Sequence, residues 1–315
     1  NNVSSERHIQ YITEAFKSKV KVPVVGIIYK DKDNKLDGRH LGLIPTLELN
    51  ANKIDTVLEI SKKTAQEIDI EKVIEIAQNN TEDIENTKVK DLLKNNIRNS
   101  NKQRITISIA LDKSFNFYYQ DNIEILQNQV NIDFFSPIDC KSVSSDSSGI
   151  IIGGGFPEVI ADELEKNTSI KKNILKLAHN NIPVYAECGG LMYLTKSISG
   201  YKNKDKKYKM VGLFDADTIM TGKLTLGYTE ATLNNKNTIF GDVKVLKGHE
   251  FHYSSIPNYS KDSRFVYTLK KGKGIANGLD GLSSYNCIAS YMHTHFVNSN
   301  AVKNFILNCR QYSKR

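Results

Sequence analysis

Asn181–Ser197 reads NIPVYAECGGLMYLTKS, and the order of residue types in it decides the fold. Pro183–Glu187 is a short, largely apolar run of the kind that forms a buried strand. Two glycines follow Cys188, and an apolar helix is expected from Leu191. A strand that runs directly into a helix must turn sharply. The residue at the apex then presents its side chain, and small neighbours let a reactant come close. Cys188 holds that apex, and the helix N-terminus adds positive potential that favours a thiolate. A cysteine after a strand can also be a small buried hydrophobe; the E-C-G-G context is what points to a nucleophile.

A thiolate that attacks a carbonyl needs a base, and the charge developing on oxygen needs donors. Ile150–Glu158, IIIGGGFPE, is a strand ending in three glycines. The backbone N–H groups of Gly154 and Gly155, with that of Gly189, are candidates to meet the oxygen, whereas a glycine run standing alone would be a flexible turn. His293 and His295, in SYMHTHF, follow a late strand and offer the base. In GHEFHYS, Gly248–Ser254, the side chains of His249, Glu250 and His252 either contact a substrate or form the alternating face of a strand packed at a domain interface. No third ligand accompanies His249 and His252, so no metal site is expected there.

Around this segment the texture is α/β. From Ile105 onward, ITISIAL, a helix near Asp121–Gln129, IDFFSPI, IIIGGG, a helix near Ile160–His179 and PVYAE alternate, which implies a mostly parallel, doubly wound sheet. Met210–Tyr253 has shorter alternating runs that suggest an antiparallel extension, and ASYMHTHF is a last strand before a C-terminal helix. Upstream, His8–Lys19 reads as a helix, Val22–Lys30 as a buried strand, and the stretch after RHLGLIPTLE, Arg39–Glu48, as one long helix to about Gln78. The stretch from Asn79 to Arg104 is rich in Asn, Lys, Asp and Glu and reads as a linker. The expected organisation is therefore 1–80, a linker over 81–103, and 104–315.

With 315 residues, two units are expected. Hydrophobic residues make up 39% and no run is long enough for a membrane span, and the opening NNVSSERHIQ lacks the apolar core of a signal peptide. Four widely spaced cysteines, Cys140, Cys188, Cys287 and Cys309, fit a reducing compartment, so the cytoplasm is the expected location. The net charge of +8 is spread among Asn, Asp and Glu rather than gathered into a stripe; it suits a solvated surface or a polyanionic small substrate, and no nucleic-acid motif accompanies it.

Taken together, GGGFPE, AECGGLMYL, TLGYTEA, GHEFHYS and ASYMHTHF resemble the class I glutamine amidotransferase domain of the cobyrinate a,c-diamide synthase family, and the likeness extends upstream through Ile109–Leu126 and Arg39–Glu48. The resemblance implies a flavodoxin-like amidotransferase domain preceded by the C-terminal part of a P-loop-like, ATP-dependent synthetase domain. It implies Cys188 as the glutaminase nucleophile and His293 as its activating base. Most class I amidotransferases carry a glutamate two positions after that histidine; here His295 stands there, leaving it as the possible orienter and the third member of the site open. The implied activity is that of a carbon–nitrogen ligase: ammonia from glutamine, ATP and Mg²⁺ amidate the a and c carboxylates of cobyrinate. Nickel sirohydrochlorin is the alternative macrocycle, and a Cys-His hydrolase or a non-catalytic module on the same scaffold the alternative classes. No G-x-x-x-x-G-K-[ST] loop occurs in the sequence, so the ATP and magnesium ligands are expected in a synthetase segment outside it.

Overall fold

A computed structural model describes residues 1–20, 22–31, 51–79, 104–201, 205–234, 239–297 and 300–314. The chain divides into two compact units, Asn1–Thr87 and Lys88–Arg315. The linker expected over 81–103 and the Arg39–Glu48 segment lie outside the described residues.

In the first unit, α1 (Glu6–Ala15) starts where the Ser5 side chain accepts a hydrogen bond from the His8 N–H, and it continues as a π-helical turn over Phe16–Val20. The single long helix expected up to Gln78 is two, α2 (Ala51–Gln66) and α3 (Ile70–Asn79). Asp69 ends the continuity: its Oδ1 accepts the Lys72 N–H at 2.9 Å as an N-cap, and its own N–H bonds to Val25 O rather than into a helix. The expected buried strand at Val22–Lys30 is not one. Among the described residues it makes isolated bridges, Tyr29 to Val3 and Gly26 to Ile68, and Val22 and Val24 are about half exposed, at 52% and 47%. A strand is stabilised by ladders on its flanks, and here each flank supplies one bridge.

The second unit is built on one large sheet. Its parallel half contains β1 (Thr106–Ala110), β3 (Asn131–Phe135), β4 (Ser147–Ile152), β6 (Val184–Glu187) and β13 (Cys287–Ser290), in the spatial order β3-β1-β4-β6-β13. Counted along the chain this is the 2-1-3-4-5 order of flavodoxin-like folds. Successive residues alternate between two cores. Ile150, Ile152, Val184 and Ala186 face one with Ile170 and Ile174 of α6 (Thr168–His179), and Ile107, Ile109, Ile151 and Tyr185 face the other with Phe305 and Ile306 of α8 (Ala301–Tyr312). β2 (Phe115–Phe117) and β5 (Gly154–Gly155) pair as a small separate sheet beside α4 (Gln120–Gln127). The helix expected over Ile160–His179 is split into α5 (Ala161–Lys166) and α6 by Asn167. Its Oδ1 accepts from the Ile170 N–H, and its Nδ2 donates to the carbonyls of Pro137, Ile138 and Cys140 at 3.1, 2.9 and 2.8 Å. Asn167→Ala removes the cap and orphans these carbonyls, so it is expected to lower stability by about 1–3 kcal/mol, read as a fall in the urea midpoint with an unchanged m-value.

The antiparallel extension expected over Met210–Tyr253 is present as β9 (Phe214–Leu233) and β10 (Val245–Tyr259), and it reaches further than that segment. Beyond β13 the sheet continues antiparallel through β12 (Leu279–Ser284), β11 (Arg264–Lys271), β9, β10 and β14 (Met292–Thr294), while β7 (Thr195–Ser199) pairs parallel with β9 and carries β8 (Lys207–Lys209). β13 and β14 are separated by Tyr291 alone, yet they lie at opposite ends of this antiparallel path. The arm therefore curls back on itself and brings β10 alongside the chain that leaves β13. Among the described residues no helix is long and apolar enough to cross a membrane.

Candidate active site

The carboxyl ends of three adjacent parallel strands, β4, β6 and β13, converge, the usual place for a site in an open α/β sheet. Cys188 follows β6 with φ 45° and ψ −98°, a strained backbone for a residue with a Cβ and one that persists where its surroundings fix it. The surroundings are explicit. The Cys188 N–H donates to Ser290 O at 2.7 Å, its carbonyl accepts from Met192 of α7 (Gly189–Leu194) at 3.0 Å, and the Gly190 N–H donates to Gly153 O at 3.0 Å. The turn cannot tolerate side chains. A Cβ on Gly190 would lie 2.1 Å from Ile152 O, and one on Gly189 would lie 3.0 Å from Gly155 N, which puts two of the three expected oxyanion glycines side by side. The triple glycine is a packed wall rather than a loose turn, since a Cβ on Gly154 would sit 2.4 Å from His293 Cε1 and one on Gly155 2.0 Å from Ser114 O.

His293 enters from β14. It is 6% exposed, and Nδ1 lies 3.5 Å from Glu187 Oε2, leaving Nε2 as the nitrogen for the thiol. Burial disfavours its charged form, yet the hydrogen bond with Cys188, and next that with Glu187, outweigh burial and raise the His293 pKa to about 10. These contacts favour the imidazolium form of His293. The Cys188 thiol also reaches Phe251 O at 3.6 Å. Burial pushes the thiols of Cys287 and Cys309 up, so these two behave as core residues.

His249 faces His293 directly across the β10–β14 ladder, and the two rings stack with centroids 4.8 Å apart and planes 11° from parallel. Its Nδ1 is 2.9 Å from Tyr119 Oη, and burial, then the charge on His293, lower its pKa, so it stacks as a neutral ring. A cavity of about 280 Å³ opens here, lined by Phe117, Tyr119, Glu187, His249, Phe251 and His293. Glu250 and His252 project from the opposite face of β10. Glu250 accepts the N–H groups of Lys273 and Gly274 at 2.7 and 3.0 Å, and His252 stacks on Tyr291 at 3.7 Å with Nδ1 2.8 Å from Ser254 O. Of the three expected side chains, only His249 therefore stands at the nucleophile's side; Glu250 anchors a loop and His252 packs. Alternation along a strand separates them, and sequence alone could not say which face was inward.

His295 is not the orienter. Its Nε2 pairs with Asp121 Oδ2 at 3.1 Å, its ring lies edge-on to Tyr119, and its side chain is 31% exposed. The carboxylate beside His293 is instead Glu187, which the sequence reading passed over as the end of a strand. The available signal was a lone acid closing an otherwise apolar buried run, because a buried charge is kept only with partners. Among the described residues no group of three His, Cys, Asp or Glu side chains could hold a metal ion.

Residues 106–301 match the family model of the CobB/CobQ-like glutamine amidotransferase domain. A cobyrinate a,c-diamide synthase of Saccharolobus solfataricus is 40% identical over 298 residues, covering 95% of this chain and 65% of that protein. Another of that name from Methanosarcina barkeri is 38% identical over 313 residues, covering 94% and 63%, and one from Thermoplasma volcanium is 37% identical over 318 residues, covering 99% and 66%. The chain thus spans a little under two thirds of the length of these relatives. The structure of PurLQS from Thermotoga maritima aligns with a TM-score of 0.47 at 16% identity over 67% of this chain and 99% of that one, too loosely to add to the match. The family model and the relatives agree, and the chain belongs to the CobB/CobQ-like glutamine amidotransferases, the family of the cobyrinate a,c-diamide synthases.

Proposed function

We propose that this chain hydrolyses glutamine at Cys188 and passes the ammonia to an ATP-driven amidation of the a and c carboxylates of cobyrinate, carried out by the whole protein of which it forms part. The observation that carries the first half is the strained, buried Cys188 at the apex of the strand-to-helix turn, with the buried His293 brought to the same site by β14. The second half leans on the names of the relatives.

In the glutaminase step the Cys188 thiolate attacks the side-chain amide carbon of glutamine, forming a C–S bond. The carbonyl oxygen takes the charge and is met by the N–H groups of Gly155 and Gly189. His293 gives its proton to the amide nitrogen, the C–N bond breaks, and ammonia leaves a γ-glutamyl thioester. A water then adds to that carbon, losing its proton to His293; the C–S bond breaks, and glutamate and the thiolate–imidazolium pair are restored. Glycine at 153–155 and 189–190 lets the two backbone segments that frame this oxygen pack against one another.

ATP and Mg²⁺ belong to the ligase half of the proposal. A phosphate seeks a bare helix N-terminus, which α1, beginning with Ser5 and Glu6, and α3, beginning with Asp69 and Glu71, do not offer. In the relatives' length not spanned here there is room for the phosphate-binding part of a synthetase, to which the first unit would contribute its last elements. The apolar side chains Tyr11, Leu58 and Ile74, exposed by 60%, 52% and 51%, suit a surface that needs cover from a larger domain.

Two measurements test the reading. The protein incubated with glutamine should release ammonia and glutamate while leaving a panel of peptide substrates intact; peptide cleavage without glutamine hydrolysis would place it among Cys-His hydrolases instead. Titration calorimetry with Mg·ATP should show no tight binding to this chain, and micromolar affinity would overturn the placement of the ATP site.

A further inference from the structure

The geometry points to Glu187, the residue immediately before the nucleophile, as the positioning acid for His293: its carboxylate, clamped by Tyr185 and the Thr294 N–H, orients the imidazole for proton exchange with Cys188. The chemistry assigned to this role rests on the glutaminase reading; the geometry does not.

Glu187 is 7% exposed, and an ionised carboxylate is kept in such a place only when its oxygens are satisfied. Oε1 accepts the Tyr185 hydroxyl at 2.6 Å and the Thr294 N–H at 2.9 Å. Oε2 lies 3.5 Å from His293 Nδ1, a long contact of the kind that tightens once substrate is bound. The two clamps come from either side of the catalytic pair. Tyr185 stands two residues back on β6 and so shares its face with Glu187. Thr294 is the residue after His293, so the base and its acid are locked to one another through the backbone.

The bend that makes this possible is also held by a carboxylate. Asp280 accepts the N–H groups of Tyr291 and Met292 at 3.1 and 3.3 Å, turning the chain out of β13 and into β14 just before His293. The other acids near the site are committed elsewhere: Asp121 to His295, and Glu250 to Lys273 and Gly274. Accepting the Nδ1 proton fixes the tautomer that presents Nε2 to sulfur, and the negative charge supports the imidazolium. The usual place for such an acid, two residues after the histidine, is filled by the outward-facing His295. The fold supplies the same charge from the strand that carries the nucleophile.

Glu187→Gln keeps the shape and an oxygen for Tyr185 and Thr294, so a merely structural role predicts normal activity. A positioning role predicts a fall in glutaminase kcat of about 10²-fold or more with KM for glutamine nearly unchanged. It also predicts that His293, followed by NMR in protein carrying ¹⁵N-histidine, titrates at lower pH than in the wild type. Glu187→Asp keeps the charge but draws it back by one methylene. It should lower kcat less and move the titration less, and it serves alone if the glutamine variant does not fold. Wild-type kcat and an unmoved His293 titration in either variant would overturn the assignment. Alkylation of Cys188 by iodoacetamide, which needs no glutamine, separates the two readings. If the wild type releases no ammonia but Glu187→Gln still slows alkylation and shifts the titration, the positioning role stands and glutamine is the wrong substrate.

Discussion

Cys188→Ser is expected to remove glutamine hydrolysis, by roughly 10⁴-fold or more, the scale on which losing a nucleophile acts, with the fold left in place. The apex backbone at φ 45° is held by the Ser290 carbonyl, the Met192 N–H and the packed glycines, none of which uses the sulfur. Serine therefore sits in the same turn with nearly the same volume. What it lacks is an accessible anion: a serine hydroxyl is far less acidic than a thiol, and the thiolate is the attacking species. The urea midpoint should stay close to that of the wild type while ammonia release falls to background. Near wild-type hydrolysis would mean that another group attacks the amide. The remaining cysteines provide the control. Cys287 and Cys309 are buried in the two cores, and Cys140 accepts the Ser136 N–H away from the glycine wall. Cys140→Ala should leave the glutaminase rate essentially unchanged, and Cys287→Ala and Cys309→Ala should show their cost in stability rather than in rate.

The centre of the parallel half, β1, β4 and β6, was readable because these strands are short runs buried almost throughout and followed by helical or turn signals, which removes the need for any subtler pattern. Cys188 was readable for a related reason: a strand, a cysteine and two glycines in immediate succession leave the backbone few options. Legibility fell where the decision is made by partners distant in the chain. Whether Val22–Lys30 forms a strand depends on neighbours, and the two bridges to Val3 and Ile68 are too few to make a ladder. Asp69 and Asn167 each interrupt an apolar period that continues through them, and only their side-chain hydrogen bonds show the break. In GHEFHYS the alternation was visible, but which face meets His293 follows from the curl of the antiparallel arm and the pairing of β10 with β14. The third member of the site was hidden for the same reason. Glu187 and His293 are far apart in sequence, and they meet only because β6 and β13 are neighbours and the chain bends at Tyr291.

His293→Ala and His295→Ala should separate by a wide margin although the residues are two apart. His293→Ala deletes the group that both holds the thiolate in the resting site and protonates the departing nitrogen, so the glutaminase rate is expected to fall by about 10²-fold or more. The loss should appear in kcat, because the proton transfer lost takes place after glutamine has bound. Alkylation of Cys188 by iodoacetamide should slow as well, since the imidazolium that supports the thiolate is gone. His295→Ala removes a half-exposed pair with Asp121 and an edge contact with Tyr119. Exposed pairs of this kind contribute roughly 0–1 kcal/mol, and the His295 side chain reaches His249, beside His293, through Tyr119. A small change in rate, carried by a looser Tyr119 wall, is the expected result, with alkylation of Cys188 unaffected. The opposite pattern, slow alkylation in His295→Ala and normal alkylation in His293→Ala, would exchange the two roles. It would also require His295 to leave Asp121 and turn inward, a movement that Asp121→Asn, by loosening the outer pair, should then favour.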